Sequence, residues 1–146
     1  MRPTPARSSN PALDDTTIVQ ILLETPAAIE DADAIAAVDG ADMLAIGAND
    51  LSAELGVPGQ HDDSRLREAV TVVGDACRRH GKLLMVGAVA DLTILAGLMP
   101  LGVCPLYLTG TDADLLFSGA QARATTFAEW HDSLAASAGP AREAAR

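Results

Sequence analysis

The sequence predicts an α/β fold with an all-parallel sheet, and three observations carry the prediction. Four short, almost continuous apolar runs recur along the chain, the pattern of strands covered on both faces. Segments with helical spacing of apolar residues separate them, and a helix-length crossover imposes parallel pairing with right-handed connections. Finally, 146 residues with 49% hydrophobic and 21% charged side chains suffice for one domain with a core. They are too few for a closed barrel of eight βα units, which needs about 250.

Residues 1–16 are rich in Pro, Ser and Arg without periodicity and read as a flexible leader before a domain over 17–136. The first strand is 18–23 (IVQILL). Thr25 and Pro26 then open a helix as N-cap and first helical residue, with Ile29, Ala32 and Ile35 or Ala36 on its apolar side and Gly40 at its end. Residues 43–47 (MLAIG) form the second strand, which runs into a polar turn, Ala48-Asn49-Asp50. A long helix covers 63–80, with Arg78, Arg79 and His80 suiting its carbonyl end and Gly81 its left-handed cap. The third strand is 83–86 (LLMV), a short helix 91–99 follows, and 103–108 (VCPLYL) reads as a fourth strand despite Pro105. A final helix starts near Thr111 or Asp112 with Leu116, Ala120, Ala124, Phe127, Trp130 and Leu134 along one face. Residues 137–146 read as a flexible tail.

Charge and composition exclude several functions. A net charge of -10 repels phosphate backbones and anionic lipid, and 3% aromatic residues leave little for base stacking. Residues 92–109 carry no charge, but Gly97, Pro100, Gly102 and Pro105 punctuate them as helix, turn and strand, not a membrane span. The N-terminus has no apolar stretch of a secretory signal, and Cys77 and Cys104 form no disulfide framework. A cytoplasmic protein with reduced thiols is expected.

Two carboxylates fall immediately after strands, where α/β sites are built: Glu24 and Asp50. Each also has a purely structural reading, Glu24 as a first-turn acid on a helix dipole and Asp50 as a helix cap. His61, in GQHDD, is either a further metal ligand with Asp62 or Asp63 or a polar loop residue beside a helix start. His80 reads as a helix-end residue, and His131 lies beside Trp130. Lys82 precedes its strand, which argues against a receiver-like phosphoacceptor sheet.

The segments LLETPAAIEDADAIAAVDGADMLAIGANDLSAELGVPGQ (22–60), ACRRHGK (76–82) and GTDADLL (110–116) together resemble the C-terminal half of the HpcH/HpaI aldolase and citrate lyase family. Members include metal-dependent 2-keto-3-deoxy acid aldolases. The resemblance implies a half-barrel, strands five to eight of a TIM barrel with their helices. It implies that Glu24 and Asp50 hold a divalent metal, Mg²⁺ or Mn²⁺, that chelates pyruvate. It also implies that backbone N–H groups of Gly47, Ala48 and Asn49 bind the substrate carboxylate, with Gly47 allowing close approach. The catalytic-base histidine and substrate-binding arginine of the family come from earlier strands and have no counterpart in this sequence. Where many of these aldolases carry glutamine two residues before the metal glutamate, this chain has Leu22. The expected activity is carbon–carbon cleavage or formation next to a pyruvate enolate, with a non-catalytic half-barrel or assembly module as the alternative. The expected partners are a 2-oxo acid and either a second copy or a complementing N-terminal half-barrel.

Overall fold

The computed structural model describes residues 16–137; all but the innermost residue of the leader and of the tail lie outside these. The chain divides into two compact units, Met1–Leu108 and Thr109–Arg146.

The first unit is a three-stranded parallel sheet in the order β1-β2-β3, with β1 at Gln20–Leu23, β2 at Met43–Gly47 and β3 at Leu83–Gly87. Between β1 and β2 run α1 (Pro26–Glu30) and α2 (Ala32–Ala36). Between β2 and β3 run α3 (Ala48–Glu54) and α4 (Ser64–His80), and α5 (Leu92–Leu98) with a 3₁₀ turn at Met99–Leu101 follows β3. β1 is shorter than the apolar run suggests, because the Val19 N–H donates to the Asp42 carboxylate at 2.8 Å instead of joining the ladder.

The caps read from sequence are in place: Thr25 Oγ1 accepts from the Ala28 N–H, and Gly81 closes α4 at φ 66°. Asp63, expected as the first residue of the long helix, is its N-cap, its side chain accepting from the Arg65 N–H. The single helix expected after Thr25 is two, however, because Asp31 takes φ −85° and ψ 3° between α1 and α2. At the far end of α4, Arg79 and His80 both reach Asp33 Oδ1, at 2.8 and 3.1 Å, tying α4 to α2. Those two bonds, Arg79 first, hold the Asp33 carboxyl below its ordinary range.

The fourth strand is a correction. Among the described residues, 103–108 form no strand: Val103 makes one isolated parallel bridge to Leu84, and the Cys104 N–H donates to Leu84 O at 2.7 Å. The ladder stops there because Pro105 has no N–H and the Leu106 N–H turns back onto Cys104 O at 2.8 Å.

Strand alternation gives the sheet two unlike faces. Leu23, Leu44, Ile46, Leu84 and Val86 point toward the helices and join Leu66, Val70, Val73 and Cys77 of α4 in one buried core. Burial pushes the Cys77 thiol pKa up, so it behaves as a packed apolar group. Gly74 lets α4 approach the chain after α5: a Cβ there would overlap the carbonyl oxygen of Leu101. The opposite face buries only Met43, Ala45 and Met85, with Cys104 packed against them. The next residues on that face of β1, Gln20 and Leu22, are exposed or partly so, Leu22 at 53%.

The second unit is α6 (Asp112–Ser137) with the residues leading into it. Thr111 and Asp114 cap it reciprocally: the Asp114 N–H donates to Thr111 Oγ1 and the Thr111 N–H to Asp114 Oδ2, each at 3.1 Å. The Thr111 N–H, and then the Thr111 hydroxyl at 2.8 Å, donate to the Asp114 carboxylate and hold its pKa low. Phe127 and Trp130, one helical turn apart, meet edge to face with centroids 6.4 Å apart. Among the described residues no helix is long and apolar enough to cross a membrane.

Candidate functional site

The site is built where β1 and β2 end. In the parallel register Leu22 pairs with Ala45 and Leu23 with Ile46, so Glu24 lies beside Gly47. Alternation also puts Glu24 on the open face with Leu22, away from the helices. Its carboxylate folds over the glycine: Glu24 Oε1 is 2.8 Å, and Cγ 2.9 Å, from where a Gly47 Cβ would stand. Gly47 is therefore required by the close approach of the Glu24 side chain, where the resemblance implies room for a substrate carboxylate. Gly87 of β3 pairs with Gly47, so the same row of the sheet is bare of side chains across two strands. The residue after it, Ala88, is held at φ 65°, a left-handed conformation unusual for a residue with a Cβ.

The polar turn expected at 47–50 is instead the first turn of α3. Gly47 ends β2 and also N-caps the helix, at φ −81° and ψ 90°, with no loop between. The N–H groups of Ala48, Asn49 and Asp50 thus fall in a first turn, where the helix offers them no acceptor. Ala48 is buried, whereas Asn49 and Asp50 are exposed. Asp50 lies three residues beyond Gly47 in that turn, so the chain brings Glu24 and the turn carrying Asp50 to one strand end.

Behind this turn the loop after α3 is bonded to Asn49 twice. Ser52, fully buried, donates from Oγ to Asn49 O at 2.8 Å and accepts the Gly59 N–H at 3.0 Å. His61 Nε2 lies 3.0 Å from Asn49 Oδ1. His61 is therefore joined to the strand-end turn and not to Asp62 or Asp63 as a ligand set. Asp63 is engaged elsewhere: its carboxylate takes the Arg65 guanidinium and then the Arg65 N–H, which lower its pKa to about 2. Ser52 escapes a sequence reading, and His61, legible there as a polar loop residue or ligand, does not reveal its partner, because neither belongs to a short-range pattern that predicts it.

Chemically, the strand end offers the hard carboxylate of Glu24 and a helix first turn of backbone donors that also carries Asp50. That donor set fits Mg²⁺ or Mn²⁺, which take oxygen ligands and keep several positions for water and substrate. Among the described residues no group of three or more His, Cys, Asp and Glu side chains that could hold a metal ion gathers.

A profile of the HpcH/HpaI aldolase/citrate lyase family matches residues 5–95. Over 66 residues the chain is 47% identical to the 4-hydroxy-4-methyl-2-oxoglutarate aldolase tasA of Hapsidospora irregularis, covering 45% of this chain and 24% of that protein. It is 41% identical over 66 residues to the 4-hydroxy-4-methyl-2-oxoglutarate aldolase cghB of Chaetomium globosum, again covering 24% of that protein. Among solved structures, an HpcH/HpaI aldolase from Desulfitobacterium hafniense superposes with a TM-score of 0.68 at 27% identity, covering 86% of this chain and 48% of that one. The citrate synthase SbnG gives 0.71 at 25% identity, covering 90% and 53%. The chain thus spans about half the length of those solved structures, and it belongs to the HpcH/HpaI aldolase/citrate lyase family.

Proposed function

We propose that this member of the family acts on 2-oxo acids, forming or cleaving a carbon–carbon bond next to a pyruvate-derived enolate, with a divalent cation at Glu24 and Asp50. The observation that carries the reading is the Glu24 carboxylate folded over Gly47, at the strand end from which the Asp50 turn starts. When bound, the cation supplies Lewis acidity toward the keto oxygen. Glu24 and Asp50 contribute anionic oxygens that hold it, and Mg²⁺ or Mn²⁺ suits them. The N–H groups of Gly47, Ala48 and Asn49 serve as donors to the substrate carboxylate, and Gly47 leaves the space that the Glu24 side chain takes. Leu22, exposed on the same face, gives the substrate an apolar wall where many of these aldolases carry glutamine. The two aldolases it resembles are named for a 2-oxo acid, which supports this substrate class.

In this reading the three strands belong to a half-barrel equivalent to strands five to eight. The base histidine and the arginine reach the site from a complementing N-terminal half-barrel or a second copy, in the cytoplasm. A non-catalytic assembly module is the second reading, favoured by the exposed apolar residues Ile18 and Leu22 at β1.

Deuterium exchange at the pyruvate methyl group, followed by proton NMR with Mg²⁺, separates the two. The expected result is exchange that requires both metal and Glu24, falling to the metal-only rate in Glu24→Gln while the far-UV spectrum stays unchanged. Exchange no faster than the metal-only control in the unsubstituted chain favours the assembly module or a half-barrel awaiting its partner, and a pull-down for the missing half tells these apart: exchange still absent with the captured half added overturns the catalytic reading.

A further inference from the structure

We propose that His61 is a positioning residue that holds Asn49 as a hydrogen-bond donor toward the substrate; the proposal rests on the 2-oxo-acid reading. The geometry comes from a side-chain pair and not from the helix end. His61 Nε2 stands 3.0 Å from Asn49 Oδ1, and a carboxamide oxygen only accepts, so the ring nitrogen is the donor. With its oxygen engaged, the carboxamide has only its N–H₂ group left to offer. An Asn at a substrate-facing turn can otherwise flip and present either end. Pinning the oxygen removes that choice and leaves a donor, which suits the carboxylate or keto oxygens of a 2-oxo acid and disfavours a cationic ligand.

The rest of the turn is built to keep this pair in register. Ser52, buried and bonded on both sides, ties the Asn49 carbonyl to the Gly59 N–H, and the Val57 N–H donates to Ser52 O at 2.8 Å. The loop from α3 to α4 therefore grips Asn49 by its backbone through Ser52 and by its side chain through His61. His61 is half-buried while Asn49 is exposed, so the histidine is the more shielded partner of the pair. Its role is in selecting the ligand, not in proton transfer.

The test uses the full chain, ¹⁵N-labelled, titrated with pyruvate in the presence of Mg²⁺, and compares it with His61→Ala and His61→Gln. Glutamine keeps an N–H donor at similar reach; alanine does not. The expected result has three parts. In the unsubstituted chain the Asn49 side-chain N–H₂ resonances shift on adding pyruvate, together with the backbone N–H groups of residues 48–50. His61→Ala loses the side-chain shift and weakens pyruvate about tenfold. His61→Gln restores both to within about twofold. Backbone and side-chain shifts equal in His61→Ala and the unsubstituted chain overturn the His61 role while leaving the 2-oxo-acid reading standing. A failure of His61→Gln to rescue also overturns it, since loss of packing and not of a donor would then explain the alanine variant. No shift at residues 24 or 48–50 in any of the three proteins overturns the 2-oxo-acid reading, and the role of His61 with it.

Discussion

The two faces of the sheet differ in what they bury. On one, Leu23, Leu44, Ile46, Leu84 and Val86 meet α4 and form the main core; on the other, Met43, Ala45 and Met85 share a small cluster with Cys104. The first face accounts for stability. The second gives way, at the ends of β2 and β3, to the paired glycines Gly47 and Gly87, and a side chain at 47 would exclude the Glu24 side chain that folds over it. The contrast teaches that one strand can serve both purposes, because alternate residues answer to different neighbours.

The largest effect is expected on the helix-covered face. Leu44→Ala should lower stability by about 4 kcal/mol, whereas Met85→Ala on the open face should cost about 2, measured by urea unfolding. Equal costs would erase the distinction between the faces. Gly74→Ala, which brings a Cβ onto the Leu101 carbonyl, should cost about 2 kcal/mol because backbone and not a flexible side chain must yield. A neutral result would mean that the 3₁₀ turn moves freely away from α4.

Smaller effects sharpen the comparison within the site row. Gly47→Ala should displace Glu24 and weaken Mn²⁺ binding about tenfold by calorimetry with little change in unfolding. Gly87→Ala should leave the metal alone, since the nearest atom its Cβ would meet is Leu108 Cδ1 at 3.6 Å. Identical effects of the two substitutions would show that Glu24 does not depend on Gly47. The smallest effect concerns Asp63. Its pKa is depressed to about 2, so its contribution is present above the ordinary carboxylate range near about 4 and is lost as pH falls through 2. The difference in melting temperature between the unsubstituted chain and Asp63→Asn should therefore shrink from pH 5 to pH 2. Because the pair is exposed, it should also shrink in high salt.

Local chemistry made most of the elements legible. Thr25 and Gly81 act on backbone groups within a few residues, and each caps the helix end expected of it; Asp63 and Asp91, expected as first helical residues, are N-caps instead. Glu24 and Asp50 were equally visible as carboxylates after apolar runs, and family resemblance supplied a role for them. Asp31 was harder: its acidic, exposed character fits a helix surface, yet it divides α1 from α2.

What the sequence by itself determined is the α/β pattern, the helix caps at Thr25 and Gly81, and the two carboxylates that follow apolar runs. These depend on periodicity and on neighbours a few bonds away. Tertiary structure alone decided that 103–108 stop pairing after one bridge to Leu84, that Gly47 makes way for Glu24, and that His61 meets Asn49 twelve residues earlier. The reason is physical. A cap satisfies donors that its own helix exposes, but a strand edge, a close approach and a side-chain pair each need a surface brought from elsewhere in the chain, and only the packed sheet brings it.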